Sequence, residues 1–278
     1  MRKAARSVLS LFMCVALMLP FFGTSAKAMS VQKRVGKDTS EADQFLIKTG
    51  MPQDILRRLD QETKQYIYDT ERKNGNLKNA IYSGYSTKNA AMTSSKEKAG
   101  LMAAGDKATY KIGTVRPNNS IPSDQLVFST VAFQESDGYY SIYPSFEWTA
   151  RTNIKNDAFA FALPEGWSMK PNSYNLRVWD RLTADYSWQY VEDLPRPSTA
   201  NFYGLGWKFG SYYGGNGLAK GNAYFFAKPT SGTPDRRISL NYVDSPAYFV
   251  SVGISIGPLS VSFNVGGDSN EAGEMIYF

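Results

Sequence analysis

The stretch Leu126–Trp148, LVFSTVAFQESDGYYSIYPSFEW, decides the fold class. Two runs rich in Val, Phe, Thr, Ile and Tyr flank Asp137-Gly138. Asp-Gly between β-rich runs suits a type I′ turn, in which both central residues take φ > 0. With those two residues as the loop, Ser136 stands opposite Tyr139, Phe133 opposite Ile142, Val131 opposite Pro144, Ser129 opposite Phe146 and Val127 opposite Trp148. One face then gathers Val127, Val131, Phe133, Ile142, Phe146 and Trp148. The other carries Thr130, Gln134, Ser141, Ser145 and Glu147, with Phe128 and Tyr143 out of pattern. A register that collects the apolar residues on one face is a specific expectation, because a slip of one residue reverses a strand's faces.

Outward from this hairpin, strands recur at short spacing through residues 106–278. The candidates are Lys107–Val115, Asp157–Leu163, Asn175–Arg181, Tyr186–Val191, Tyr203–Phe209, Ala223–Lys228, Ile238–Val243, Tyr248–Ile256 and Leu259–Val265. Of the 39 aromatic residues, 31 lie in 106–278, where helical periodicity is lost. The expectation is a mainly β domain, an antiparallel β-sandwich or a closed barrel, with the sandwich preferred.

Ahead of it the chain is helical and then loose. Ser40 can cap a helix carrying Ala42, Phe45 and Leu46, with Gly50 as its stop. Pro52 opens a second, with Ile55, Leu56 and Leu59 inward. Asp60 caps a third that ends at Asn74-Gly75. Residues 29–75 are therefore a short helical segment, docked on the β domain or removed as a pro-segment. Residues 76–105, rich in Lys, Ser, Ala, Asn and Gly, read as a linker. Residues 1–28 read as a signal peptide: Arg2, Lys3 and Arg6, an apolar run from Val8 to Phe22, then Ala26-Lys27-Ala28. The chain is expected to be secreted, with cleavage near Ala28.

Charge and composition exclude several functions. The leader carries Arg2, Lys3, Arg6 and Lys27 and no acid, so its removal lowers the net charge from +6 to +2. The β region alone is net −2, which gives no footprint for nucleic acid. Cys14 is the single cysteine and there is no histidine. Histidine triads, cysteine nucleophiles and ordinary zinc sites are thereby excluded, and no metal or cofactor is expected.

Three stretches are candidates for function. With Leu182–Asp185 as a four-residue loop, Trp179 faces Trp188, Arg181 faces Tyr186 and Arg177 faces Tyr190. That face, Arg177, Trp179, Arg181, Tyr186, Trp188 and Tyr190, offers flat rings for sugars and guanidinium groups for anions. It is equally the pattern of a self-stabilising aromatic pair with cation–π cover. In the second stretch, Phe202–Phe226, Tyr203, Leu205, Trp207 and Phe209 alternate with Gly204, Gly206 and Lys208, and a glycine-rich loop adds Tyr212 and Tyr213. The glycines there mark either a contact loop or a strand packed closely on its neighbour. In the third, Val250, Val252, Ile254 and Ile256, then Leu259, Val261, Phe263 and Val265, alternate with Ser, Gly and Asn. Such a hairpin suits the core, or insertion into a membrane as in β-pore-forming toxins.

The leading expectation is a secreted, non-enzymatic all-β binding module at or outside the cell surface. Its partner is a glycan, a cell-wall polymer or a protein, and not nucleic acid. The alternative is a membrane-active protein, a pore-forming or antimicrobial toxin, inserting the C-terminal hairpin. A third is a glycosidase drawing on Glu135, Asp137, Glu147, Glu165, Asp180 or Asp185, although no spacing selects a pair.

Overall fold

A computed structural model of the chain describes residues 40–89, 121–122, 124–150, 156–210, 217–230, 232, 234–245, 252–265 and 269–278. The leader 1–28, the linker beyond residue 89, the strand Lys107–Val115, the loop tyrosines Tyr212 and Tyr213, and Val250 lie outside the described residues.

Three helices come first, α1 (Glu41–Lys48), α2 (Gln53–Arg58) and α3 (Gln61–Lys73). Their ends follow the sequence signals. Ser40 Oγ accepts from the Asp43 amide at 3.1 Å, and Asp60 Oδ1 from the Thr63 amide at 2.8 Å, each satisfying a donor orphaned at a helix start. Gly50 and Gly75 close α1 and α3 at φ +90° and +77°. Ala42, Phe45, Leu46, Leu56, Tyr66 and Ile67 are buried. All of these but Ala42 join Val131, Phe133, Tyr143, Trp179, Tyr224 and Phe226 in one apolar cluster, so the helices form a layer on the β-sheet.

That sheet has six strands in the order β1 (Ile81–Asn89), β2 (Leu126–Gln134), β3 (Tyr140–Trp148), β9 (Leu218–Pro229), β5 (Trp167–Arg181) and β6 (Gln189–Leu194). A second sheet runs β13 (Asn270–Tyr277), β10 (Arg237–Asp244), β4 (Asp157–Ala162), β8 (Gly204–Phe209), β7 (Thr199–Ala200). All pairings are antiparallel, and each sheet has two free ends rather than closing on itself. The architecture is a sandwich, not a barrel. Phe128, Phe146, Phe159, Phe161, Trp207, Phe225 and Tyr242 fill its interior.

Three strands lie outside those expected from the sequence: the two-residue β7, β1 and β13. Residues 81–89, read as linker, form β1 against β2, from Ile81↔Gln134 to Asn89↔Val127. Their Ser, Gly, Thr and Lys content hides a strand that lies at a sheet edge and packs Tyr82 and Tyr85, each half-buried, against the core. Residues 270–277, which lie beyond the last strand expected from the sequence, pair with β10 along their length. Gly273 is needed there, since a Cβ would stand 2.4 Å from Asn241 Oδ1.

The opening hairpin is correct in kind and wrong by one residue in register. Leu126 pairs with Trp148 and Gln134 with Tyr140. Gly138 is at φ +80° and Asp137 is not in the left-handed region, which excludes the type I′ turn. Glu135 N–H donates to Tyr139 O at 2.8 Å, and Gly138 N–H donates to Glu135 O at 3.1 Å. The loop is therefore Ser136-Asp137-Gly138, three residues with glycine in the αL position. The extra residue flips β2. Leu126, Phe128 and Ala132 join Ile142, Phe146 and Trp148 inside the sandwich. Val131 and Phe133 turn with Tyr143 toward the helices. Both faces are apolar because both are covered, so a one-face criterion misplaces the register.

The C-terminal pair forms β11 (Val252–Gly257) and β12 (Ser260–Val265), a separate two-stranded sheet. Val252, Ile254, Phe263 and Val265 pack on Ala158 and Val243 of the second sheet. Asn201 Nδ2 donates to Ile256 O at 2.7 Å and Leu259 N–H to Leu163 O at 2.9 Å, tying both strands to the sandwich. The alternating apolar residues cover protein here.

Candidate functional site

The site is built where α3 crosses β9 and β5. β9 is the middle strand of the larger sheet, and its two faces differ. Ala219, Gly221, Ala223 and Phe225 point into the sandwich; Lys220, Asn222, Tyr224 and Phe226 point toward the helices. α3 completes the polar half of that second face. Lys220 Nζ lies 2.8 Å from Asp60 Oδ1 and 3.5 Å from Glu62 Oε2. Asn222 Nδ2 donates to Thr63 Oγ1 at 3.0 Å. A buried lysine is stable only with such partners.

The Trp hairpin adjoins this contact. Trp179 pairs with Tyr190 and Arg177 with Asp193, so the expected Trp179–Trp188 and Arg177–Tyr190 pairings give way to a shifted register with a bulge at Val178/Trp179. Five of the six expected residues, Arg177, Trp179, Arg181, Trp188 and Tyr190, nonetheless come together. Lys220 Nζ sits 5.2 Å from the Trp179 ring centre and 4.8 Å from that of Trp188, and Arg181 lies 4.0 Å from Trp188. The two tryptophans thus hold a cation between them rather than each other. Tyr66 of α3 meets Trp179 edge-on at 5.9 Å. Arg177 lies 5.1 Å from Tyr66 and 5.7 Å from Tyr190. Tyr186 and Tyr190 are exposed, at 60% and 56%.

Between α3 and β5 remains a cleft of about 300 Å³, lined by Gln61, Glu62, Gln65, Tyr66, Arg177 and Trp179. α3 contributes Gln61, Glu62, Gln65 and Tyr66, and β5 contributes Arg177 and Trp179. Arg177 does not present a free fork to it: Nε and NH2 donate to Asp193 Oδ1 and Oδ2 at 2.6 and 2.8 Å. Burial opposes ionisation of Asp193, yet those hydrogen bonds and the guanidinium charge hold its carboxyl below the ordinary range. Asp60, Glu62 and Asp193 therefore stand against Lys220 and Arg177 around the cleft. An anion in the cleft would meet no unengaged cation among these residues.

Of the predicted face, Arg177 and Trp179 line the cleft, Tyr190 touches Arg177 at its rim, and Arg181 and Trp188 lie behind it around Lys220. Gln61, Glu62, Gln65 and Tyr66 escape a sequence reading. The pattern of α3 identifies a helix but not the sheet face it covers. The proposed acids do not converge on the cleft either. Glu135 is buried beneath α3, and Glu147 Oε1 lies 3.6 Å from Arg181. Among the described residues no cluster of three metal-ligating side chains occurs.

No protein-family model matches the chain, and no curated protein matches it. Among solved structures it is similar to ACE19, the collagen-binding subdomain of the Enterococcus faecalis surface protein ACE, at 7% identity and a TM-score of 0.29. That match covers 49% of this chain and 84% of the subdomain. It is also similar to the collagen-binding domain of a Staphylococcus aureus adhesin, at 9% identity and TM-score 0.26, over 61% of this chain and 100% of that one. The T6 backbone pilin of serotype M6 Streptococcus pyogenes matches at 13% identity and TM-score 0.26, over 71% of this chain and 36% of the pilin.

Proposed function

We propose that this is an exported, non-enzymatic binding module acting at or outside the cell surface, and that it holds an uncharged saccharide segment in the cleft between α3 and β5. One observation carries the ligand class. The cleft joins the Trp179 and Tyr66 rings to the side-chain amides of Gln61 and Gln65, while its one guanidinium is engaged by Asp193. Rings take the apolar face of a sugar; Gln61 and Gln65 each donate once from Nε2, to Ser40 Oγ and Asp69 Oδ1, and keep a second N–H and an amide oxygen for hydroxyls, while no cation remains to favour phosphate or uronate. Tyr186 and Tyr190 extend the surface at low entropic cost. The leader Met1–Ala28 and the absence of histidine support export and binding rather than catalysis.

The test uses retention on insoluble neutral polysaccharides, with polyuronate and immobilised collagen alongside. The exposed residues Gln65 and Tyr190 are changed together, Gln65→Ala/Tyr190→Ala, which leaves the Trp179–Tyr66 contact in place. The expected result is at least a roughly tenfold loss of affinity, about 1.4 kcal/mol, with an unchanged unfolding midpoint. Unaltered saccharide binding in the double variant would remove the cleft as the site. Retention on collagen alone would move the ligand class to protein.

A further inference from the structure

Beneath the C-terminal half of α3, away from the cleft, two carboxyl groups are buried together. Glu71 of α3 is 0% exposed and Glu135, at the end of β2, is 6% exposed. Tyr143 Oη donates to Glu71 Oε1 at 2.5 Å, and Ser141 Oγ donates to Glu135 Oε1 at 2.8 Å. The carboxyls stand within interaction distance of each other, and Asn76 and Ser141 also approach Glu71, yet the Oε2 atom of each acid is buried with no hydrogen-bond partner among the described residues. One proton placed between the two acids supplies the missing donor to both. Two ionised carboxylates in contact, with no cation paired to either, would be costly to bury.

We propose that Glu71 and Glu135 share a single proton and act as a pH-sensitive latch, holding α3 on the sheet at mildly acid to neutral pH and releasing it as the pair loses that proton. The groups facing the pair do not supply a substitute. Tyr143 donates to Glu71 from β3, and Asp137 of the hairpin loop adds negative charge beside Glu135. Tyr66 of α3 approaches through an edge contact with Tyr143. Arg72 on the same helix is engaged by Asp69 at 3.0 Å. Lys170 and Lys228 approach the hairpin over the Tyr139 ring, at 5.5 and 5.2 Å.

Burial first, and then the Glu71 charge, push Glu135 up to about 8, and burial raises Glu71 as well. The folded pair therefore keeps a proton that the unfolded chain releases near the ordinary carboxyl range of about 4.3. Lowering the pH through that window favours the docked state, and raising it removes the advantage until the folded value is passed. No histidine titrates in the same window, because the chain has none. Since α3 also supplies Gln61, Glu62, Gln65 and Tyr66 to the cleft, release of the latch lowers ligand affinity. That last step rests on the cleft reading; the shared proton does not.

Two measurements on the full chain decide it, neither using ligand. In wild type, the unfolding equilibrium constant is expected to rise by up to tenfold per pH unit, about one proton, between roughly pH 5 and 8 and then to level off. Glu147 and Glu192 are also raised by burial, so the comparison is with Glu135→Gln, whose amide donates permanently to Glu71. This variant should lose the one-proton slope. Infrared difference spectra at pH 7 should contain a carboxylic-acid C=O band in wild type that Glu135→Gln lacks. Parallel pH curves for the two proteins, or no acid band in wild type, would overturn the latch, and the infrared measurement decides even if the variant folds poorly. If slope and band behave as expected but polysaccharide retention is the same at pH 5.5 and 8.5, the latch stands and its link to the cleft fails.

Discussion

Gly204→Ala is expected to cost about 3 kcal/mol or more and to leave a substantial unfolded fraction, seen as a collapsed denaturation midpoint. β8 approaches β4 so closely that a Cβ at this position would lie 1.9 Å from the Phe161 carbonyl oxygen and 2.9 Å from its carbon. Both atoms belong to the backbone of a central strand, bounded by β10 on its other side, and neither can rotate away. Relief requires β8 to leave the sheet, and Trp207 and Leu205 would leave the core with it. Overpacking usually costs 1–3 kcal/mol, so a backbone clash belongs at or beyond the top of that range, against a typical total of about 5–15 kcal/mol. Gly206→Ala is the internal comparison. A Cβ there meets the Ile254 side chain at 2.9 Å, which can change rotamer, so a cost of about 1–2 kcal/mol is expected. Equal costs would show that the β4–β8 spacing is not what limits position 204.

Asp60→Ala is expected to cost about 3–4 kcal/mol in chemical denaturation. Lys220 is only 2% exposed, and its nearest counter-charge is Asp60 at 2.8 Å. Removing one partner of a buried pair leaves the other uncompensated, which costs roughly 3–5 kcal/mol. Glu62 at 3.5 Å and the two tryptophan faces moderate this, whereas loss of the α3 cap adds about 1 kcal/mol. Asp60→Asn separates the contributions, since it keeps the cap and removes the charge. The sharper test is the double variant Asp60→Ala/Lys220→Met. An apolar side chain of similar length leaves no stranded ammonium, so at least about 1.5 kcal/mol should be recovered relative to Asp60→Ala. Additive losses would mean that the lysine is hydrated and the ion pair carries little.

Much of the fold is legible in the sequence, because helix caps and β-alternation are local. Ser40, Asp60, Gly50 and Gly75 sit at helix ends for reasons confined to a few residues. What escapes is whatever depends on a distant surface. Phe128 and Tyr143 look like errors in a one-faced hairpin and are correct in one covered on both sides. Lys220 and Asn222 look like loop residues, since their burial depends on a helix some 160 positions earlier. The candidate site divides the same way. Arg177, Trp179 and Tyr190 follow from strand alternation. Gln61, Gln65 and Tyr66 follow only from where α3 lands, and Asp193 is found only once the Val178/Trp179 bulge is known.

The central position of β9 constrains how this chain is made. It lies between β3 and β5 and among the described strands is the one that joins them, yet it follows both in the chain. Until residues 218–229 have emerged, synthesis has produced two half-sheets, a helical layer whose landing surface is split between them, and strand edges open to other chains. Pairing Glu147 with Lys220 or Trp167 with Pro229 also closes loops of more than 60 residues, for which the chain loses entropy before contacts repay it. Assembly is thus a late, slow event on the millisecond-to-second scale of β-rich domains. A nascent chain would stay aggregation-prone until β9 arrives, and escorting it would fall to chaperones.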